Sequence, residues 1–321
     1  MAELIAVVIP FYQRKSGILR KSVLSALAQQ GDFEVRVVIV DDASPVSARS
    51  EIADLLETSP ERFVLIEQAN TGPAAARNRA LENVPASTEY VAFLDSDDEW
   101  IVEHLANALQ VLNTGDDFYF ADHYQINQSV SAFKRAGRIK PDSHPSLPGA
   151  RYLHHYAGNM FDQIIDGNVV GTSTVVYRWA KFPLLRFREE FVYAGEDYLF
   201  WMELAKLTSH VGFSEQVECT YGEGVNIFAG SGWGTEKSLI RLHYEMKFKR
   251  VLPRLFSLTT AQLVSNRASV KQLRQMFVAD VLHRVMHRKP VPISTLIAQF
   301  RIDPGSLLWF IPLAVRVVLK R

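Results

Sequence analysis

Residues 89–98 read EYVAFLDSDD. An apolar run of strand length stops at an acidic cluster, and that junction decides the fold. Upstream, runs of the same kind occur three more times: residues 5–10 (IAVVIP), 34–40 (EVRVVIV) and 62–67 (RFVLIE). Segments with helical spacing lie between them. Residues 17–30 repeat apolar side chains at Ile18, Val23, Leu24 and Leu27, and residues 47–58 and 74–83 fill the next two gaps. Short β-branched runs alternating with helices predict a βαβαβαβ chain, an α/β fold whose mostly parallel sheet is flanked by helices. Ligands of such sheets bind beyond the carboxyl ends of the strands, so the residues that follow each strand carry the functional expectation.

Those residues are Pro10-Phe11-Tyr12, Asp41-Asp42-Ala43-Ser44, Asn70-Thr71-Gly72-Pro73 and Asp95-Ser96-Asp97-Asp98. Five aspartates at one sheet edge repel one another unless a cation sits among them. Two carboxylates one residue apart suit a hard divalent ion, Mg²⁺ or Mn²⁺, which can neutralise a departing diphosphate. The plain alternative is an Asp-rich turn that caps the next helix. Farther on, 101–112 reads as a helix and 118–120 as a short strand. Residues 128–150 look like a mobile polar loop, and 169–178 (VVGTSTVVYR) alternate like a strand. Gly195-Glu196-Asp197 opens a helix over 198–207, and a glycine-rich turn covers 222–234. Acidic residues at a helix start serve capping and the helix dipole.

The 321 residues are 48% hydrophobic and 22% charged, which excludes disorder as the main state. One cysteine, Cys219, excludes a disulfide scaffold and a cysteine-based zinc site, and fits a reducing compartment. The start lacks a basic segment before its apolar run, so no signal peptide is expected. No stretch reaches the ~20 apolar residues of a spanning helix. The net charge of zero conceals an asymmetry. Residues 237–321 carry 16 Lys and Arg against 3 Asp and Glu, net +13, and residues 1–236 carry 19 against 32, net −13. The expected organisation is a catalytic domain over 1–236 and a basic helical region over 237–321. The first divides at about residue 100, into 1–100 and 101–236. In the second, 268–289 combine apolar spacing (Val270, Leu273, Phe277, Val281, Val285) with Lys271, Arg274, Arg284, Arg288 and Lys289. The chain then ends SLLWFIPLAVRVVLKR. Cations around an apolar Trp-containing segment suit an anionic membrane surface. Packing under the catalytic domain, or a homodimer face, are the alternatives. Nucleic acid is disfavoured as a partner, because the apolar end offers no stacking platform for bases.

The segments VVIPFYQR, VIVDDAS, ANTGPAAARNRAL, FLDSDDEW and GEDYLFWMEL occur in that order over about residues 4–210. As a set they resemble the family 2 glycosyltransferases of the GT-A fold. The resemblance implies an inverting, metal-dependent transfer of a sugar from a nucleotide-sugar donor, most simply a UDP-sugar, to a glycan acceptor. It implies that 1–100 form the nucleotide half and 101–236 the acceptor half, and that Pro10, Phe11 and Tyr12 line the nucleotide pocket. Asp42, with Asp41 beside it, would receive the base, and Gly72, Arg77 and Asn78 would shape the base and phosphate edge. Asp95 would face the ribose, with Ser96 between it and Asp97. Asp97 would be the metal ligand with Asp98 close by. Asp197 would be the catalytic base, positioned by Glu196. Asn168, Thr172 and Ser173 are candidate acceptor contacts. Relatives carry an Arg and a His, then a Ser, after the base helix. Here residues 224–234 have neither Arg nor His, although Ser231 keeps the serine position and Trp233 could stack on a sugar. The third metal ligand stays unassigned. His243 is one candidate, and His154-His155 lack ligand spacing. The narrower resemblance is to bacterial exopolysaccharide enzymes of the succinoglycan type, glucosyltransferases working on a lipid-linked acceptor at the inner face of the cytoplasmic membrane. A nucleotidyltransferase is the alternative enzyme, but IPFYQRKSG is a poor version of its glycine-rich phosphate loop. An inactive scaffold is disfavoured by intact Asp95, Asp97 and Asp197.

Overall fold

In the first strand, β1 (Glu3–Phe11), Ile5, Ala6, Val7, Val8 and Ile9 are all fully buried. The run is apolar at every position because helices cover both faces of the sheet, which removes the polar alternation of a half-exposed strand. The computed structural model describes residues 2–191, 194–225, 234–235, 237–312 and 315. After β1 come α1 (Ile18–Leu27), β2 (Phe33–Asp42), α2 (Ala48–Glu51), α3 (Ala53–Thr58), β3 (Phe63–Gln68), α4 (Pro73–Leu81) and β4 (Tyr90–Phe93). β1 pairs in parallel with β2 and with β4, and β2 with β3, giving the order β3-β2-β1-β4. The expected parallel half-sheet is present, with the reversal of strand order beside β1.

The second half continues the same sheet. β5 (Glu99–Trp100), α5 (His104–Leu112), β6 (Phe118–Tyr124), α6 (Ala132–Ala136), β7 (Ser146–Leu147), β8 (Ala150–His155) and α7 (Met160–Asp166) lead to β9 (Val176–Tyr177), α8 (Glu196–Leu207) and β10 (Val211–Thr220). β9 joins β4 to β6 by antiparallel pairing, β6 pairs in parallel with β10, and β8 and β7 close the edge. Three expectations change here. The helix over 47–58 is broken at Ile52 (φ −130°, ψ 24°), whose side chain is buried. The strand over 169–178 shrinks to β9, because residues 172–174 curl into a 3-10 turn that sends Ser173 inward. The polar 128–150 loop contains α6 and the β7 strand.

By contact density the chain forms two units. One is Met1–Val192 with Glu196–Val225, and the other is Tyr193–Gly195 with Asn226–Arg321. The second contains α9 (Ser238–Leu255), α10 (Thr260–Met286), α11 (Ile293–Ile302) and α12 (Pro304–Leu308). It has its own core of Leu239, Leu242, Met246, Val270, Leu273, Phe277 and Val281. Among the described residues no helix is long and apolar enough to cross a membrane.

Candidate active site

The carboxyl ends of β1, β2 and β4 place Phe11 level with Asp41 and bring the acidic cluster after β4 to the same edge. Arg77 rises into that edge from α4. It is 4% exposed, its Nη2 is 2.6 Å from Asp95 Oδ1, and its Nη1 is 3.7 Å from Glu196 Oε1. Its guanidinium carbon lies 5.3 Å from the Phe187 ring centroid. Burial works against the charge of Arg77, but Asp95, Glu196 and Asp197 outweigh it and hold its pKa above the ordinary value. Nε and Nη1 of this buried cation have no hydrogen-bond partner among the described residues. Thus one guanidinium draws together the strand-end aspartate and the two acids that begin α8.

The two α8 acids have different surroundings. Burial, then the neighbouring charge of Asp197, pushes Glu196 up to about 8, while Arg77 pulls the other way. Burial also raises Asp197. The Tyr198 N–H, which donates to its Oδ1 at 2.8 Å, and Arg77 oppose that rise. A carboxylate made more basic by burial is a better proton acceptor than one in water.

The three aspartates after β4 divide in role. Asp98 is 3% exposed, and its oxygens accept from Ser173 Oγ–H at 2.5 Å and Gly222 N–H at 3.1 Å. Burial, then Asp95 and Asp97, keeps it well above the usual carboxylate range. Asp98, expected among the metal residues beside Asp97, thus directs its oxygens toward Ser173 and Gly222. Asp97 is partly exposed. Its Oδ2 accepts from Gly224 N–H at 2.9 Å. Burial, then Asp95, raises it to about 6. The Asp95 side chain is one third exposed (33%). Hard oxygen donors with surplus negative charge fit Mg²⁺ or Mn²⁺, and Asp95 and Asp97 are the two whose side chains remain accessible. Among the described residues no three carboxylate, imidazole or thiol groups converge as a metal-sized cluster.

Several of the expected site residues also hold loops. Asp41 accepts from Ser44 N–H and Ala48 N–H, both at 2.8 Å, which fixes the turn after β2. Asp42 accepts from Thr71 N–H, Gly72 N–H and Gln68 Nε2–H at 2.8 Å each, and so draws the 68–72 loop to the strand end. Gly72 takes φ 94° there as it leads into α4, a conformation that favours glycine. Asn78 accepts from Phe187 N–H at 2.7 Å and donates to Phe187 C=O at 2.9 Å. It clamps that distant segment to α4. Ser173 Oγ accepts from Asp95 N–H at 3.0 Å and donates to Asp98, tying the acidic loop to the 172–174 turn. Thr172 is buried, and Asn168 turns back on Val170. Pro10 and Tyr12 are half-buried at the end of β1, and Phe11 is buried. His243 packs within the helical unit, its Nδ1 3.0 Å from Gln299 Oε1. Ser231 and Trp233 lie outside the described residues.

Sequence reasoning overlooked Gln13. It is 3% exposed and bonds Ser96 Oγ, Ser44 and Val225 N–H. Its signal was position alone: a long amide two residues past β1 at the ligand edge.

A family model described as glycosyl transferase family 2 matches residues 6–178. The succinoglycan biosynthesis protein ExoW of Rhizobium meliloti is 34% identical over 229 residues, 71% of either chain. Two longer relatives match over only 34% of their own length. Among solved structures, Staphylococcus aureus TarS 1-349 in complex with UDP-GlcNAc superposes with TM-score 0.55 at 18% identity, over 95% of this chain and 80% of that one. The mannosyltransferase PcManGT of Pyrobaculum calidifontis, in complex with GDP-Man and Mn²⁺, gives 0.58 at 15%, over 98% and 86%. At those identities the two structures establish the fold, a GT-A sheet flanked by helices. With a family model covering more than half of its length and a relative of this identity, the chain belongs to glycosyl transferase family 2 and is a glycosyltransferase.

Proposed function

We propose that the enzyme transfers a sugar, glucose in the first instance, from a UDP-sugar to a lipid-linked glycan with inversion, in the synthesis of an exopolysaccharide or another cell-surface polysaccharide. The observation that carries this reading is the grouping of Asp95, Glu196 and Asp197 around buried Arg77 at the ligand edge of the sheet. On this reading a donor-side carboxylate and two acceptor-side ones share one cation. The name of ExoW supports the polysaccharide context, and the UDP-GlcNAc complex of TarS supports the donor class.

In this reading Pro10, Phe11 and Tyr12 line the base pocket, and Asp42 meets the base with the acceptor capacity left after it has bound the 68–72 loop. Asp95 faces the ribose. Asp97, with Asp95, would hold Mg²⁺ or Mn²⁺, which when bound supplies positive charge against the leaving diphosphate. Asp197 takes the proton of the acceptor hydroxyl as its oxygen forms the new bond to the anomeric carbon. The bond from that carbon to the diphosphate oxygen breaks, and UDP departs with the electron pair. Glu196 orients the acceptor, and Arg77 offsets part of what burial costs the charge of the adjoining carboxylates. The basic helical region meets the anionic inner face of the cytoplasmic membrane, where a lipid-linked acceptor would be found.

Calorimetric titration of UDP into the protein, with and without Mn²⁺, tests the donor site. Binding is expected to depend on the metal and to weaken at least tenfold in Asp97→Ala. Absence of UDP binding in the unaltered protein under both conditions would overturn the UDP-sugar reading.

A further inference from the structure

We propose that Gln13 is a positioning residue that latches residues 222–225 to the strand-end loops and thereby sets donor affinity; the affinity part rests on the donor-site reading above. The main chain of Gln13 is locked first. Its N–H donates to Ser44 Oγ at 2.8 Å, and its C=O accepts from Ser44 Oγ–H at 3.0 Å and Val46 N–H at 3.3 Å. The side chain then reaches two other loops. Oε1 accepts from Val225 N–H at 3.0 Å, and Nε2 donates to Ser96 Oγ at 3.1 Å. A backbone N–H can only donate, so Val225 fixes which end of the amide faces it.

Residues 222–225 hang from three such bonds. Gly222 N–H donates to Asp98 Oδ1, Gly224 N–H to Asp97 Oδ2, and Val225 N–H to Gln13 Oε1. Two of these acceptors are carboxylates of the acidic cluster. The Asp97 carboxylate is the one that must also serve the donor complex. Its bond to Gly224 therefore competes with its ligand, whereas the neutral Gln13 amide has no such competition. Gln13 can keep the segment seated while Asp97 turns to the ligand. Because Ser96 lies between Asp95 and Asp97, the same amide registers the carboxylate loop against that segment.

Gln13→Met keeps most of the side-chain volume and removes both amide bonds. Two lost bonds should weaken Mn²⁺-dependent UDP binding roughly tenfold or more. kcat at saturating donor should stay within about threefold, so that the loss falls on KM. In the absence of nucleotide, amide hydrogen exchange of a peptide spanning 222–225 should accelerate, with β1 and β2 unchanged. Should this variant not fold, Ser96→Ala, which leaves the Val225 bond, is expected to give a smaller loss of UDP affinity. Unchanged exchange at 222–225 in Gln13→Met overturns the latch. Faster exchange with unchanged UDP affinity overturns its role in donor binding. Failure of the unaltered protein to bind UDP removes the donor-site reading and the affinity claim with it, while the exchange data still judge the latch separately.

Discussion

Glu196 sits where burial moves it far from its chemistry in water. The folded chain holds its proton up to about 8, whereas an ordinary glutamate releases it near 4.5. Between those values the folded state binds more protons than the unfolded state, so stability falls as pH rises. The contribution is fully present below about 4.5 and is lost as pH rises through 8. Glu196→Gln mimics the protonated form. Its melting temperature relative to the unaltered protein should therefore climb from about pH 5 to about pH 9, and parallel melting curves across that range would contradict the assignment. At this scale the motifs showed which carboxylates gather, because strand ends and helix starts are local features. They did not show which oxygens turn inward. Asp41 is satisfied by its own turn, Asn78 by Phe187, and Asp98 by Ser173 and Gly222. The last two depend on partners 109 and at least 75 residues away.

At the scale of elements, the alternation of β-branched runs with helical spacing makes β1 to β4 legible from the amino-acid pattern alone. β10 is not, because its sequence mixes apolar residues with Ser214, Glu215, Gln216 and Glu218. Glu218 is fully buried there, and its carboxylate meets His104 Nδ1 at 2.8 Å, Asn107 Nδ2 at 2.7 Å and Tyr119 OH at 2.7 Å. Those partners lie about a hundred residues upstream, so the strand reads as polar until they are in place. Beyond β10, the chain returns to the acidic loop so closely that side chains are excluded. A Cβ at residue 222 would overlap the carbonyl oxygen of Asp97, and one at 224 would overlap its carboxylate. Backbone is a poor candidate for relief, since it cannot rotate aside as a side chain can. Gly222→Ala should therefore displace the segment, break its bonds to Asp97 and Asp98, and weaken Mn²⁺-dependent UDP binding by an order of magnitude or more. An alanine variant that binds UDP like the unaltered protein would show that this close approach is dispensable.

Over the whole molecule, the charge asymmetry and the distribution of apolar surface point to the same helical unit. Its core is closed by α9 and α10, yet Ile293, Ile297, Leu307, Leu308, Trp309 and Ile311 are all exposed. Arg288, Lys289 and Arg301 are exposed along the same stretch of chain. Arg284, which the sequence grouped with these cations, is instead buried. Its Nε is 2.7 Å from Asp280 Oδ1, so it stabilises the unit and contributes nothing to an outer charge. Exposed aliphatic and Trp side chains beside exposed cations are the composition of an interfacial helix, and anionic headgroups add about 1 kcal/mol per nearby cation. The protein should cosediment with phosphatidylglycerol vesicles and not with phosphatidylcholine vesicles. Replacing Arg288, Lys289 and Arg301 together by Glu should weaken that binding roughly a hundredfold or more, from three such contributions. Trp309→Ala should instead remove the part of the binding that persists at high salt, because apolar insertion is not screened by ions. If the unaltered protein ignores both kinds of vesicle, the membrane reading falls. A dimer at micromolar concentration that Trp309→Ala dissociates would then assign the apolar face to a second copy of the chain.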